Sequence, residues 1–271
     1  MKFITLCADD YGMNKAISQG IIHLLTMGRL TAVSCMTTSS CWSEHAPWLH
    51  PYREHADLGL HFNLTEGQPL GKKNSTIAPR GSFLSLPLLM AKAYGGFIKV
   101  ADVEQELLLQ LEQFNKHVQR LPNFIDGHQH IHHLPIVREA LLKMYEQPLL
   151  GRETYVRISI QREGGGIKSK IIALTGAARL QRQLKINKIP YNQTFSGIYP
   201  FQDAVNYRQY FIRFLRQVKN QELIMCHPAL FNPQTIDPIA SSRLYEFNYF
   251  KSPAFKEDCE RYHVQLTRLI L

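Results

Sequence analysis

The 271-residue sequence lacks the cysteine patterns of disulfide-rich proteins and of thiolate metal sites. Its five cysteines are scattered, odd in number, and form no Cys-x-x-Cys pair. Because disulfide frameworks and thiolate metal sites both depend on regular cysteine spacing, neither is predicted. Free thiols fit a reducing compartment better, and we therefore expect a cytoplasmic protein.

Long apolar runs are also absent. No stretch reaches the roughly 18 to 20 apolar residues that a membrane-spanning helix requires. The amino-terminal run MKFITLC meets the acidic pair Asp9 and Asp10 too soon for a signal peptide. The sequence therefore predicts neither a membrane span nor a secretion signal.

Several common functional motifs are missing. The chain contains no Gly-x-Ser-x-Gly, no Gly-x-Gly-x-x-Gly and no P-loop, which argues against a serine hydrolase, a dinucleotide site and a phosphate cradle. Lysine and arginine outnumber the acids by 31 to 22, giving a net charge of +9. These basic residues are dispersed and form no nucleic-acid-binding fingerprint, so no nucleic acid partner is predicted.

The sequence does contain alternating apolar strands and amphipathic helices. Strands are predicted at 3–8, 31–38, 57–62, 123–128, 154–160, 222–227 and 264–270. Helices are predicted at 14–27, 43–53, 102–119, 168–185 and 203–219, and one begins at Pro135. Asn14 and Asp102 are predicted helix caps. Repeated strand–helix units favour an α/β fold in which residues 1–271 form a single (β/α) barrel domain, with distorted or seven-stranded variants left open.

Two segments interrupt this alternation. Residues 65–100 are rich in glycine and proline, and a connection of this length is usually functional or mobile. We expect it to cross the active face, with short helical turns. A second, glycine-rich loop is predicted at 163–166.

Polar residues end several of the predicted strands. These residues are Asp9 and Asp10 in the first strand, His61 in the third, Asp126 and His128 in the fourth, Arg157 in the fifth and His227 in a later strand. In βα barrels the carboxyl ends of the strands carry the catalytic groups. The sequence therefore predicts an active site at this end.

One carboxylate and two imidazoles can hold a divalent ion and leave coordination positions open. Asp10, His61 and His128 could supply this set, with Asp9 as a general base. Neighbouring side chains of a strand point to opposite faces. Both acids can serve one site only if the backbone turns, and we expect Gly12 to allow that turn.

The segment DGHQHIHH contains four histidines in six residues beside an acid. Asp126 could orient a ligand histidine through its second ring nitrogen. If the strand ends near His128, then His130 and His132 become candidates for supporting the ligands or contacting substrate.

Three motifs together resemble the YdjC-like carbohydrate deacetylases, a family related to the NodB-type polysaccharide deacetylases. They are ADDYGMN (8–14), GLHFNLTEGQPL (59–70) and DGHQHIHHLP (126–135), with a further match at ELIMCHP (222–228). The resemblance implies a barrel of βα units and hydrolysis of an N-acetyl group on an amino sugar. It also implies one divalent ion per chain, magnesium in most members and zinc or another transition metal in some.

Carried over residue by residue, the resemblance implies that Asp10, His61 and His128 are the metal ligands and that Asp9 is the base. Arg157 is similar to an arginine that orients the base, and His227 to a general acid. Tyr11 and Asn63, together with Asp126, His130 and His132, are further candidates for supporting the ligands or binding substrate.

Two alternatives remain open at this level. One is another metal hydrolase, such as a phosphoesterase, for which the net positive charge would suit an anionic substrate. The other is a sugar-binding relative without catalysis. A homodimer is also left open.

Overall fold

A curled parallel sheet forms the centre of the computed structural model, which describes residues 1–161, 176–233 and 237–270. The strands are β1 (Lys2–Tyr11), β2 (Ala32–Cys35), β3 (Asp57–Phe62), β4 (Phe124–Gly127), β5 (Tyr155–Val156), β6 (Phe195–Ser196), β7 (Glu222–Cys226) and β8 (Val264–Leu266). Seven of them follow the order β5-β4-β3-β2-β1-β7-β6, and β8 pairs with the beginning of β1. The fold is therefore an α/β half-barrel, which confirms the predicted class in a distorted form.

Helices surround this sheet. They are α1 (Lys15–Thr26), α2 (Trp42–His45), α3 (Leu86–Tyr94), α4 (Val100–Val118), α5 (Pro135–Glu146), α6 (Ala178–Ile186), α7 (Tyr207–Gln217), α8 (Ala240–Lys251) and α9 (Pro253–Arg261). Short 3-10 helices cover Ala46–Tyr52, His128–His133 and Phe201–Asn206. Within the described ranges, no helix is both long enough and apolar enough to cross a membrane.

The sequence located the long elements and missed others. The strand predicted at 57–62 is confirmed, whereas β5 has two residues and β6 was not predicted. Helices α8 and α9 were also missed. In α8 the buried residues include Arg243 and Glu246 beside Phe247 and Phe250, so the helix shows no clear apolar stripe in sequence. The predicted loop at 163–166 lies outside the described residues, as does the first part of the predicted helix at 168–185.

The two predicted caps have different outcomes. Asn14 caps α1, and its Oδ1 accepts the N–H of Ile17 at 3.0 Å. Asp102 was expected to cap the helix after it, but α4 already begins at Val100. Its carboxylate instead accepts the N–H and hydroxyl of Thr76 at 2.7 and 2.6 Å. This prediction was wrong because Asp102 holds the excursion at 65–100 rather than the end of a helix.

Two side-chain amides link the segment that follows β5 to the residues on either side of β6. Asn192 accepts the N–H of Ile158 at 2.7 Å and donates to its carbonyl at 3.0 Å. Gln161 accepts the N–H of Ile198 at 2.8 Å and donates to its carbonyl at 3.3 Å. These amides replace the backbone pairing that the short strands β5 and β6 cannot supply.

Candidate active site

A bulge at the end of β1 presents both acids to one site. The pairing with β2 moves from Ala8 opposite Val33 to Tyr11 opposite Cys35, so β1 has one extra residue here. Asp10 adopts a left-handed backbone with a φ of +69°, which few residues other than glycine tolerate. The change of direction therefore occurs at Asp10 itself. Gly12, with a φ of +89°, was expected to provide it but lies in the following turn.

Three donor atoms from three strand ends converge at this point. The Oδ1 of Asp10 lies 2.9 Å from Nδ1 of His128 and 3.2 Å from Nε2 of His61. The two imidazole nitrogens lie 3.3 Å apart, and all three residues are buried. The structure thus brings together the three predicted ligands, whose atoms could hold a metal ion.

The spacing of these atoms fits a small divalent ion. Two neighbouring ligands of an octahedral ion, bound at about 2.1 Å and at a right angle, lie about 3.0 Å apart. The three separations, 2.9 to 3.3 Å, therefore match neighbouring positions around one ion. A second cluster of Asp9, His61 and Asp126 is also close enough, but its carboxylates are already engaged by Arg157.

Asp126 and Ser34 fix the orientation of His61. Nδ1 of His61 donates to Oδ1 of Asp126 at 2.6 Å, and the Ser34 hydroxyl donates to the same oxygen at 2.6 Å. Burial lowers the pKa of His61, but Asp126 and Asp10 outweigh it and raise that pKa to about 10. Such a carboxylate–histidine pair leaves Nε2 facing the cluster, the arrangement found around metal-binding histidines.

Asp9 is held by an arginine inside the half-barrel. Arg157 is fully buried and donates through Nη1 and Nη2 to the two oxygens of Asp9 at 2.6 and 2.7 Å. Its Nη2 also lies 2.9 Å from Asp126. His132 donates from Nε2 to the Arg157 carbonyl at 2.8 Å, so it supports the backbone of this arginine. Asp9 is thus kept in one orientation beside the ligand cluster.

His227 lies close to Asp9. Its Nε2 is 3.9 Å from Oδ2 of Asp9, and its ring packs edge-on against Phe201. The backbone N–H of His227 donates to the buried carboxylate of Glu246, which also accepts the Tyr199 hydroxyl at 2.6 Å. Burial raises the pKa of Glu246 to about 7. Glu246 therefore anchors the segment that carries His227.

The other three predicted candidates lie around this centre. The Tyr11 ring is buried against Trp42, and its hydroxyl donates to the His45 carbonyl at 2.6 Å. Asn63 is fully buried, and its Oδ1 accepts the N–H groups of Thr65 and Glu66 at 3.0 and 3.1 Å. These contacts place Tyr11 in the core and make Asn63 the support of a turn.

His130 lies in the 3-10 helix that follows β4. Its backbone is left-handed, with a φ of +61°, and its ring stacks on that of His133. His130 is therefore directed towards other histidines of this helix.

Sequence reasoning missed two charged residues that touch the ligands. Arg243, on α8, donates to Oδ2 of Asp10 at 2.7 Å. Glu66 lies 3.3 Å from Nε2 of His128. Arg243 is distant in sequence and belongs to a helix with no clear pattern. Glu66, in contrast, stands inside the motif GLHFNLTEG and could have been considered.

The family comparison gives a match over nearly the whole chain. The model described as "YdjC-like protein" matches residues 3–261. Among individual relatives, a chitooligosaccharide deacetylase from Yersinia enterocolitica is 26% identical over 270 residues, covering 96% of this chain and 95% of that protein. A carbohydrate deacetylase from Danio rerio is 31% identical over 161 residues, covering 58% of this chain and 50% of that protein. The match thus spans about half the length of the animal relative.

Solved structures resemble the chain in fold. A proposed cellobiose-phosphate cleavage protein from Enterococcus faecalis superposes with a TM-score of 0.72 at 18% identity, covering 99% of this chain and 97% of that chain. A peptidoglycan N-acetylglucosamine deacetylase superposes with a TM-score of 0.52 at 10% identity, covering 98% and 85%. At these identities the likeness describes the fold only.

Proposed function

Because this chain belongs to the family of YdjC-like proteins, we propose that it is a metal-dependent hydrolase that removes the acetyl group from an N-acetylated amino sugar or oligosaccharide. The observation that carries the proposal is the convergence of Asp10, His61 and His128 at 2.9 to 3.3 Å, directly beside the Asp9–Arg157 pair. The names of the relatives, carbohydrate and chitooligosaccharide deacetylases, point to the same reaction.

Asp10, His61 and His128 would hold the divalent ion, with magnesium as the first choice and zinc or another transition metal as the alternative. When bound, such an ion polarises a carbonyl oxygen and lowers the pKa of a water molecule. The sugar's amide would have to reach this end of the half-barrel, where the excursion at 65–100 and the Glu66 turn form part of the surroundings.

The protein's own groups would then move the protons. Asp9 would take a proton from the water that attacks the acetyl carbon, while Arg157 holds both of its oxygens in place. His227, 3.9 Å from Asp9, would give a proton to the sugar nitrogen as the carbon–nitrogen bond breaks. One amide and one water become acetate and a free amine.

The division of work between the two acids gives a direct test. Asp9→Asn should bind metal with nearly unchanged affinity yet lose acetate release by at least about a hundredfold, in line with the usual loss of a general base. His61→Ala should lose both metal binding and turnover. Titration calorimetry with Mg²⁺, Mn²⁺, Co²⁺ and Zn²⁺ measures binding, and acetate release from a panel of N-acetylated sugars, with and without chelator, measures turnover.

Each result has a clear meaning. If Asp9→Asn abolished metal binding, the assignment of base and ligand would be wrong. If the metal-loaded wild type released no acetate from any sugar, the sugar-binding alternative would be favoured. Hydrolysis of phosphate esters instead of amides would favour the phosphoesterase. The cytoplasmic location and the homodimer stay predictions.

A further inference from the structure

Arg243 occupies the one oxygen of Asp10 that the ligand cluster does not use. Oδ1 of Asp10 faces the two imidazoles, whereas Oδ2 accepts the Nη2–H of Arg243 at 2.7 Å. Both residues are almost fully buried. A guanidinium at this distance makes a charge-assisted hydrogen bond and also repels any cation near Oδ2. Only Oδ1 remains open to a positive ion.

Arg243 is itself held from two other directions. Its Nε donates to Oδ2 of Asp237 at 2.6 Å, and its backbone carbonyl accepts the N–H of Ala229 at 3.2 Å. Ala229 follows His227 by two residues on the loop after β7. The guanidinium is therefore fixed between two carboxylates, and its position does not depend on Asp10 alone.

The two neighbouring acids show contrasting arginine contacts. Arg157 donates to both oxygens of Asp9, one from each terminal nitrogen. Arg243 donates to a single oxygen of Asp10. Both oxygens of Asp9 therefore have a guanidinium beside them. On Asp10, one oxygen has a guanidinium beside it and the other does not. The pattern of arginine contacts thus matches the proposed difference between base and ligand.

We propose that Arg243 is a positioning residue that restricts Asp10 to ligation through one oxygen and thereby selects small divalent ions over large ones. This inference rests on the proposed metal site. Ca²⁺ takes six to eight oxygen ligands at 2.3–2.6 Å and often binds carboxylates through both oxygens, whereas Mg²⁺ is held at about 2.0–2.1 Å with fewer protein ligands. Removing the Arg243 contact would free Oδ2 of Asp10 as an additional metal ligand, which chiefly favours the larger ion.

The test compares the dissociation constants of Mg²⁺ and Ca²⁺ by titration calorimetry. In Arg243→Met, the ratio of the two constants should move about tenfold or more towards Ca²⁺. Arg243→Gln should show the same shift. Its amide can still donate to Asp237, so this variant provides the test if the methionine variant fails to fold. If Arg243 only supported the structure, its loss would weaken the binding of both ions equally and leave the ratio of the dissociation constants unchanged. That result would overturn the proposal.

Arg268→Met is the matched control. Arg268 donates to the buried Asp57 at 2.7 Å, but this pair lies at the amino end of β3, away from the ligand cluster. The substitution removes the same kind of contact and should lower the melting temperature without changing the ratio. A similar ratio shift in this control would also overturn the proposal.

A measurement on the wild type needs no variant to fold. X-ray absorption or a crystal structure of the Mn²⁺-loaded protein should show Asp10 bound through one oxygen, with Arg243 on the other. Chelation of the ion by both oxygens would overturn the inference. If the wild type binds none of the ions, the proposed metal site itself fails, whereas binding with an unchanged ratio in the variants removes only the assignment of Arg243.

Discussion

Asp9 and Asp10 differ in their partners, although they are adjacent in sequence. Asp9 contacts Arg157, and Asp10 contacts two imidazoles and Arg243. Burial alone would raise the pKa of Asp10, but Arg243 and His128 hold it well below its usual range. The bulge at Asp10 lets two like-charged groups share one region while each has its own counter-ion.

Glu246 gives a prediction for stability against pH. Burial raises its pKa from 4.5 to about 7, so between these values the folded protein keeps a proton that the unfolded chain has released. The free energy of unfolding contributed by this group therefore falls as pH rises through that window. Relative to Glu246→Gln, the wild type should lose about 1 to 3 kcal/mol between pH 4.5 and 8.

Urea unfolding of both proteins across this pH range measures the difference. Glutamine can keep both contacts, because its oxygen accepts the His227 N–H and its amide donates to the Tyr199 hydroxyl oxygen. Glu104→Gln, which changes a half-buried carboxylate on α4 that contacts Lys143, serves as the control. A constant difference at all pH values would contradict the raised pKa.

At the scale of elements, α4 connects the excursion at 65–100 to the site. Its buried Glu106 accepts the N–H groups of Leu70 and Gly71, each at 3.0 Å. Its buried Gln110 accepts the N–H of Asn63 at 3.0 Å and donates to the Asn63 carbonyl at 2.8 Å. One face of this helix thus holds both the excursion and the turn that carries Glu66.

Glu106→Ala should loosen the excursion locally. Two backbone N–H groups would lose their acceptor, at a cost of roughly 1–3 kcal/mol each where they remain buried. Hydrogen exchange and limited proteolysis should therefore become faster within 65–100, with a smaller change in the sheet. Glu104→Ala on the same helix removes a contact with Lys143 of α5 and should leave the exchange within 65–100 unchanged. Equal acceleration throughout the chain would contradict a local effect.

At the scale of the whole molecule, a metal ion joining β1, β3 and the segment after β4 would stabilise the fold. An ion that binds only the folded state at 100 times its dissociation constant adds about 2.7 kcal/mol to the free energy of unfolding. The melting temperature should rise by several degrees on adding the ion and return with chelator, measured by calorimetry. His61→Ala should lose this rise, and Asp9→Asn should keep it. A rise that persisted in His61→Ala would place the ion elsewhere.

The sequence alone indicated much of the fold and the central cluster. Asp10, His61 and His128 each follow an apolar run, and parallel strands bring their carboxyl ends to one side, so strand order was not needed to group them. Strand β6 and the short β5 were harder to define, because two-residue strands leave almost no periodicity. Helix α8 was missed because its buried face mixes charged and aromatic residues.

The sequence by itself determined which types of residue stand at the strand ends. Local apolar patterning locates the strands, and chain direction shows which end of each strand is the carboxyl end. Only the tertiary structure decided that the backbone turns at Asp10, that Arg157 pairs with Asp9, and that Arg243 from a helix 233 residues away covers one oxygen of Asp10. These contacts join residues far apart in the chain. Their geometry follows from how the helices pack around the curled sheet, which no local pattern encodes.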